Sequence, residues 1–370
     1  MNEERLLNEF IELVQIDSET KYEREIADRL IEKFTGLGLS VKEDDSKTRT
    51  GHGAGNLVVT WEGNTEWDTI YFTSHMDTVV PGLGVSPEVR GGYIYSDGTT
   101  VLGADDKAGI AAMIEAVRTI QEEGTEHGTV QFVITVGEES GLAGARELDM
   151  NLVKADYGYA LDSDGPVGDL VTAAPNQSKV YAAIHGKKAH AGVAPEKGVS
   201  AITAASKAVA SMPLGRIDKE TTANIGRMEG GSQTNIVCDR VDITAEARSL
   251  VKEKMEKQTE AMKQAFEAAA EEMGASAEVK IQVVYPGFKQ NPDDTVVIKA
   301  SRAVEKIGRF PRLKQSGGGS DANIIAGHGI PTINLGVGYE DIHTTNERMS
   351  VEELNFLTRL VVQIINEVKT

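Results

Sequence analysis

The sequence predicts an α/β protein whose catalytic domain carries a mostly parallel sheet and is interrupted by an inserted module. Three observations predict it. Helical and strand periodicities alternate through the first third and resume near the C-terminus. Between Pro175 and Pro286 the order becomes strand–helix–strand–strand–helix–strand, the ferredoxin-like signature. A chain of 370 residues is also longer than one hydrophobic core usually supports. The boundaries that follow are 1–176 with 289–370 for the first domain and 177–288 for the insertion.

Leu6, Leu7, Phe10, Ile11 and Val14 recur at helical spacing. Thr20 and Glu23 read as a capping box opening a second helix, with Ile26, Leu30, Ile31 and Phe34 inward. The short apolar runs at 56–61 and 69–73 are rich in Val, Ile and aromatics and read as strands. A long helix carries Ile110, Met113, Ile114, Val117 and Ile120 and stops at Gly124. Strands follow at 129–135 and 157–161. In the insertion, Val180, Ala182 and Ile184 alternate as a half-buried strand, and Ile202, Ala205, Val209 and Met212 mark a helix. A strand at 222–228 precedes another that buries Val241, Ile243, Ala245 and Ala247 and exposes Asp242, Thr244, Glu246 and Arg248. Met255, Met262, Phe266 and Met273 stripe a charged helix, and Val279, Ile281 and Val283 form the last strand. Near the C-terminus, Ser350 and Glu353 read as a capping box for the final helix.

Composition removes several functions. With 38 Lys and Arg against 57 Asp and Glu, the formal charge is −19, which repels nucleic acid and anionic membranes. One Cys makes no internal disulfide and no thiolate cage, which fits a reducing, cytoplasmic setting. The Met-Asn-Glu-Glu-Arg start has neither the basic nor the apolar region of a signal peptide. No apolar run approaches the ~18 residues that span a bilayer.

Sites in open α/β sheets lie beyond the carboxyl ends of the strands, and five segments fall there. The strand from Thr69 runs into His75-Met76-Asp77, whose His and Asp point to one side of an extended chain. A His can ligate a metal through one nitrogen while a carboxylate holds the other; a simple turn pair is the local alternative. Gly103-Ala104-Asp105-Asp106-Lys107-Ala108-Gly109 precedes the long helix. Its acids either cap that helix or bring a carboxylate to two cations. Glu138-Glu139 follows a strand, so one can ligate while its neighbour takes a proton from water, or both can be helix-start acids. Asp162-Ser163-Asp164-Gly165 ends another strand, and His343 lies in a loop before the last helix. Alone each signal is modest; together they place nitrogen and oxygen donors after strand upon strand. Such donors suit zinc, with cobalt or manganese as substitutes.

This order of motifs resembles the di-zinc metallopeptidases that include peptidase T, carboxypeptidase G, succinyl-diaminopimelate desuccinylase and the aminoacylases. The resemblance covers nearly the whole chain. It looks strongest toward the peptidase T branch, through Thr99-Thr100-Val101-Leu102 running into G-A-D-D-K-A-G. It implies two zinc ions bridged by Asp105, with His75 and Asp162 completing one and Glu139 and His343 the other. It implies Glu138 as general base, Asp77 as the group orienting His75, and a cis peptide between Asp105 and Asp106. In the insertion, Gly186-Lys187-Lys188-Ala189-His190-Ala191-Gly192 resembles a loop whose His reaches a partner subunit's site and stabilises the oxyanion. The insertion would then be a lid and dimerisation domain. Asn235 and Arg248 look like the holders of the substrate's carboxylate. The loop Ser316–Asp321, centred on Gly318, offers amides to an anionic group or makes a tight turn. The activity implied is release of N-terminal residues from tripeptides, with N-acyl amino-acid amidohydrolysis as the alternative and a non-catalytic metal-binding protein behind both. Two departures stand out. Gly137 occupies a position that is usually acidic in peptidase T, and Asp164 adds an acid beside Asp162. His52, His127 and His328 lie in Gly-flanked loops with no recognisable ligand partner, His185 ends a strand of the insertion and reads as support for the His190 loop, and Cys238 reads as buried and inert.

Overall fold

A computed structural model describes residues 1–369, which divide into two compact units. One comprises residues 1–173, 289–316 and 320–369, and the other Ala174–Phe288 with Gly317–Gly319.

The first unit is built on four parallel neighbours in the order Val130–Thr135, Ile70–His75, Tyr157–Ser163 and Thr332–Gly336. Antiparallel strands Leu57–Trp61 and Ser40–Glu43 extend one side. Every residue of Ile70–His75 and of Val130–Thr135 is buried, as expected where helices cover both faces. Helix Ala104–Glu123 packs on Ile70–His75 and is flanked by helices Glu3–Gln15 and Val351–Glu367. Its apolar residues are buried nearly all round, which marks it as the central helix of the core. A small antiparallel sheet joins Tyr339–Glu340, Arg348–Ser350, Tyr93–Tyr95 and Glu88–Arg90. The first two are the arms of a hairpin whose loop carries His343.

The second unit runs Asn176–His185, helix Ala201–Ser211, Thr221–Gly230, Arg240–Ser249, helix Lys252–Glu272 and Ser276–Tyr285. Numbered in chain order, its four long strands lie 2-3-1-4 and pair antiparallel throughout, which is the ferredoxin-like arrangement. Val180, Ile184, Val241 and Ile243 pack with Met255, Met262 and Phe266 in its core.

Three local expectations are corrected. The second helix begins at Arg24, and Thr20 and Glu23 form no capping box. Thr20 Oγ1 donates instead to Asp77 Oδ2 at 2.7 Å, and Glu23 accepts the amides of Lys21 and Gly53. A distant partner of higher charge thus outcompetes the helix end. At the last helix only half the box forms, with Ser350 Oγ accepting from Glu353 N at 3.3 Å. The Glu353 carboxylate turns away to Val167 N and Arg309. Gly317–Gly319 join the inserted unit although the sequence placed them with the other. Arg248 Nη1 donates to Gly317 O, and a Cβ on Gly319 would meet the Tyr285 ring at 2.4 Å.

Phe266 is fully buried in the inserted core. Phe266→Ala should destabilise that unit by about 3–5 kcal/mol. The measurement is an earlier unfolding midpoint in urea.

Candidate metal centre

The parallel strands deliver donors from their carboxyl ends. His75 ends one strand, Glu138 and Glu139 follow its neighbour, and Asp162 lies near the end of the next. Asp105 comes from the loop before the central helix. Gly103 there has φ +76°, Asp105 and Asp106 have non-helical backbone angles, and the peptide between them is cis. The N-cap of this helix is Gly103, which has no side chain to cap with, and the Asp105 carboxylate is turned toward His75 and His343.

The Asp105 carboxylate faces two imidazoles. Its Oδ1 is 3.1 Å from His75 Nε2 and its Oδ2 is 3.3 Å from His343 Nε2. His343 Nε2 is also 2.8 Å from Glu139 Oε1. Donor atoms of His75, Asp105 and Asp162 lie within 4.8 Å of one another, as do those of Asp105, Glu139 and His343. A third such group joins His75 with Glu138 and Glu139. Two overlapping clusters with Asp105 in common suit a pair of cations. Asp164 is exposed and belongs to none of the clusters found among the described residues.

Asp77 has two tasks. His75 Nδ1 lies 3.0 Å from the Asp77 carbonyl oxygen and 3.5 Å from its Oδ1, which turns Nε2 toward Asp105. The Asp77 carboxylate also accepts Glu138 N at 3.0 Å and Glu139 N at 3.3 Å, so it fixes the backbone that presents both glutamates. Asp162 is held through its backbone by Asn334, whose amide both accepts from Asp162 N and donates to Asp162 O.

Negative charge is crowded in this cluster. Burial, then the charge of Asp162, pushes Glu138 well above the carboxylate range. Burial and Asp105 do the same to Asp162. Asp106 is also pushed up, by burial and Asp162, and neither of its oxygens finds a hydrogen-bond partner. Burial would raise Asp105 too, but His343 and His75 outweigh it and hold the group low. Hydrogen bonds to Asp105 and then Glu139 lift His343 to about 10. The donors are oxygen and imidazole nitrogen, and the crowded carboxylates would be neutralised by divalent cations, so the residues fit the metal pair.

Several contributors were not found from sequence. Thr20 was read as a cap. Asp321 is buried beside Thr135, whose hydroxyl it accepts, and burial pushes it up to about 6. His52 is buried with Nε2 3.0 Å from Ser140 Oγ, and it fills the space behind Gly137. A Cβ on Gly137 would lie 2.2 Å from that Nε2, and its φ is +60°. This accounts for a glycine at position 137.

The remaining candidates lie in the inserted unit. His190 is exposed, and its Nδ1 accepts from Gly192 N at 3.2 Å. In the neutral ring this leaves the proton on Nε2 as a donor. Ala191 N donates to Asn235 O at 2.9 Å, which sets the His190 and Asn235 loops side by side. Arg248 lies on the open face of its strand, as its alternation predicts, with Nε 2.9 Å from Glu246 Oε1. It meets the glycine loop at Gly317, next to Gly318. Among the described residues His185, His127 and His328 join no donor cluster, and Cys238 is buried and free.

Residues 71–367 match the profile of "Peptidase family M20/M25/M40". A protein of Bacillus subtilis (strain 168) called "Uncharacterized protein YqjE" is 66% identical over 367 residues, 99% of each chain. The crystal structure of the aminopeptidase PepT from Bacillus cereus ATCC 10987 is 66% identical with a TM-score of 0.97, covering 100% of both chains. A tripeptidase from Staphylococcus aureus Mu50 is 52% identical with a TM-score of 0.98, again covering 100% of both.

Gly137→Asp should force the turn off His52 and displace Glu138. A shift of about 1 Å at a reacting group costs on the order of 10²-fold in rate. Steady-state kcat should fall by that order while circular dichroism stays unchanged.

Proposed function

The chain belongs to peptidase family M20/M25/M40, and from that premise we propose that it is a two-metal aminopeptidase of the peptidase T kind, releasing N-terminal residues from tripeptides. The observation that carries the reading is the Asp105 carboxylate facing His75 with one oxygen and His343 with the other, with Glu138 in a cluster that shares His75. The solved aminopeptidase and tripeptidase relatives support the substrate class.

His75, Asp105 and Asp162 would hold one ion and Asp105, Glu139 and His343 the other. Two divalent cations, zinc with cobalt or manganese as substitutes, supply Lewis acidity toward a peptide carbonyl and make water more acidic. Glu138, raised by burial and Asp162, takes a proton from the attacking water and delivers it to the departing amine nitrogen. One C–N bond breaks and one C–O bond forms, and the proton balance closes on the glutamate. Asp77 keeps the Glu138 backbone in register through its accepted amides. His190 donates from Nε2 to the developing oxyanion. Asn235, Arg248 and the amide of Gly318 take the peptide's terminal carboxylate, for which a guanidinium offers paired donors. His190 serves the neighbouring active site of a homodimer, and the inserted unit acts as its lid and dimerisation surface. The negative charge and single Cys favour a cytoplasmic peptidase with no nucleic-acid partner. Among the described residues no helix is long and apolar enough to cross a membrane.

The deciding assay compares free-amine tripeptides with N-acetyl and N-succinyl amino acids in the presence of zinc or cobalt. Tripeptides should be cleaved and acylated substrates left intact; the reverse selects the amidohydrolase reading. Glu138→Gln should lower kcat by about 10²–10⁴-fold with both metals retained by elemental analysis. Near-normal turnover would remove the glutamate from its role.

A further inference from the structure

Glu347 belongs to no donor cluster found among the described residues, yet it ties together the loops that carry Asp105 and His343. Its side chain is buried and its carboxylate accepts three backbone amides. Oε2 receives Leu102 N and Gly103 N, each at 2.8 Å, and Oε1 receives Asp105 N at 3.0 Å. These amides precede the regular part of the central helix and have no carbonyl within it to bond. Gly103 adopts φ +76° and Asp105 and Asp106 are non-helical, so the loop's path is not set by helix geometry. Glu347 supplies the acceptors that fix it.

The other end of the link is the His343 loop. Glu347 N donates to Thr344 O at 3.1 Å, one residue after His343. The next residue, Arg348, begins the strand Arg348–Ser350, which pairs with Tyr93–Tyr95. Asp341 and His343 hold φ of +55° and +62°, values that side chains other than glycine adopt only when held. His343 is half exposed, so burial does little to fix its ring.

We propose that Glu347 is a positioning residue for the metal pair, clamping the Asp105 loop to the His343 loop so that the Asp105, Glu139 and His343 donors are assembled before the ion arrives. This deepens the two-metal reading and rests on it. The residue type matters because only a carboxylate presents acceptors alone at both ends. A glutamine of the same size must turn an NH₂ donor toward Asp105 N–H or toward the Leu102 and Gly103 amides.

The test is cobalt titration of the metal-free full-length protein, followed by calorimetry and the visible absorption of bound cobalt. Wild type should take up two ions per chain. E347Q should bind at least one of them ten- to a hundredfold more weakly, the range expected when a ligand loses its supporting hydrogen bond. Its cobalt spectrum should change, and kcat should fall at unchanged KM for a tripeptide, with partial recovery in excess cobalt. A purely structural glutamate would lower the melting temperature of the metal-free protein and leave cobalt affinity and spectrum as in wild type; that result overturns the proposal. If wild type itself binds no cobalt, the two-metal reading fails with it. If E347Q does not fold, E347D decides, since it keeps the charge but withdraws both oxygens by one methylene. Weakened cobalt binding in folded E347D supports the clamp, and wild-type affinity refutes it.

Discussion

The arrangement depends on one carboxylate with two neighbours. Asp105 gives an oxygen to each imidazole, and each imidazole comes from a different part of the chain. His75 is rigid because it ends a fully buried central strand. His343 is carried by a hairpin loop of the small sheet. A group that spans both must itself be held in an unusual place, and the chain achieves this with a left-handed glycine, non-helical aspartates and a buried glutamate collecting amides. The parallel sheet then needs only to align three strand ends for the remaining donors to arrive.

Much of this was legible in sequence where the signal is local. Period-two and period-3.6 patterns located the strands and helices, and the ferredoxin-like order was readable because each element is short and bounded by turns. Arg248 could be placed on the open face from alternation alone. The acids and imidazoles that the structure gathers around Asp105 stood out as a set, since such residues recurring after successive strands are not required by capping. The supporting groups were not legible, for a physical reason. Thr20 meets Asp77 across 57 residues, His52 meets Ser140 across 88, and Glu347 meets Asp105 across 242. Each is an ordinary polar residue whose nearest pattern suggests something local. Thr20 and Glu23 matched a helix cap, yet the buried Asp77 carboxylate and the amides of nearby Lys21 and distant Gly53 were the stronger partners.

At Asp77, spacing alone shows one contact and misses others. Its spacing from His75 suggested an orienting carboxylate. The closer contact to His75 is its backbone carbonyl, and the carboxylate is largely spent on the Glu138 and Glu139 amides. One residue therefore sets the relation between His75 and Glu138. Gly137 works in the same neighbourhood by having no side chain at all, leaving room for His52.

The sheet of the first unit has a consequence for how the chain matures on the ribosome. Thr332–Gly336 pairs in parallel with Tyr157–Ser163, so Asn334 sits beside Ala160 with the whole insertion between them in sequence. The insertion is nearly contiguous, and its long strands pair wholly within it. Emerging amino end first, the nascent chain can complete the insertion while the parallel sheet still lacks a strand. His343 is translated later still, so the Asp105 cluster is whole only after that strand has emerged. Until then the strand Tyr157–Ser163 has an unpaired edge, and chaperone protection is most needed during that interval.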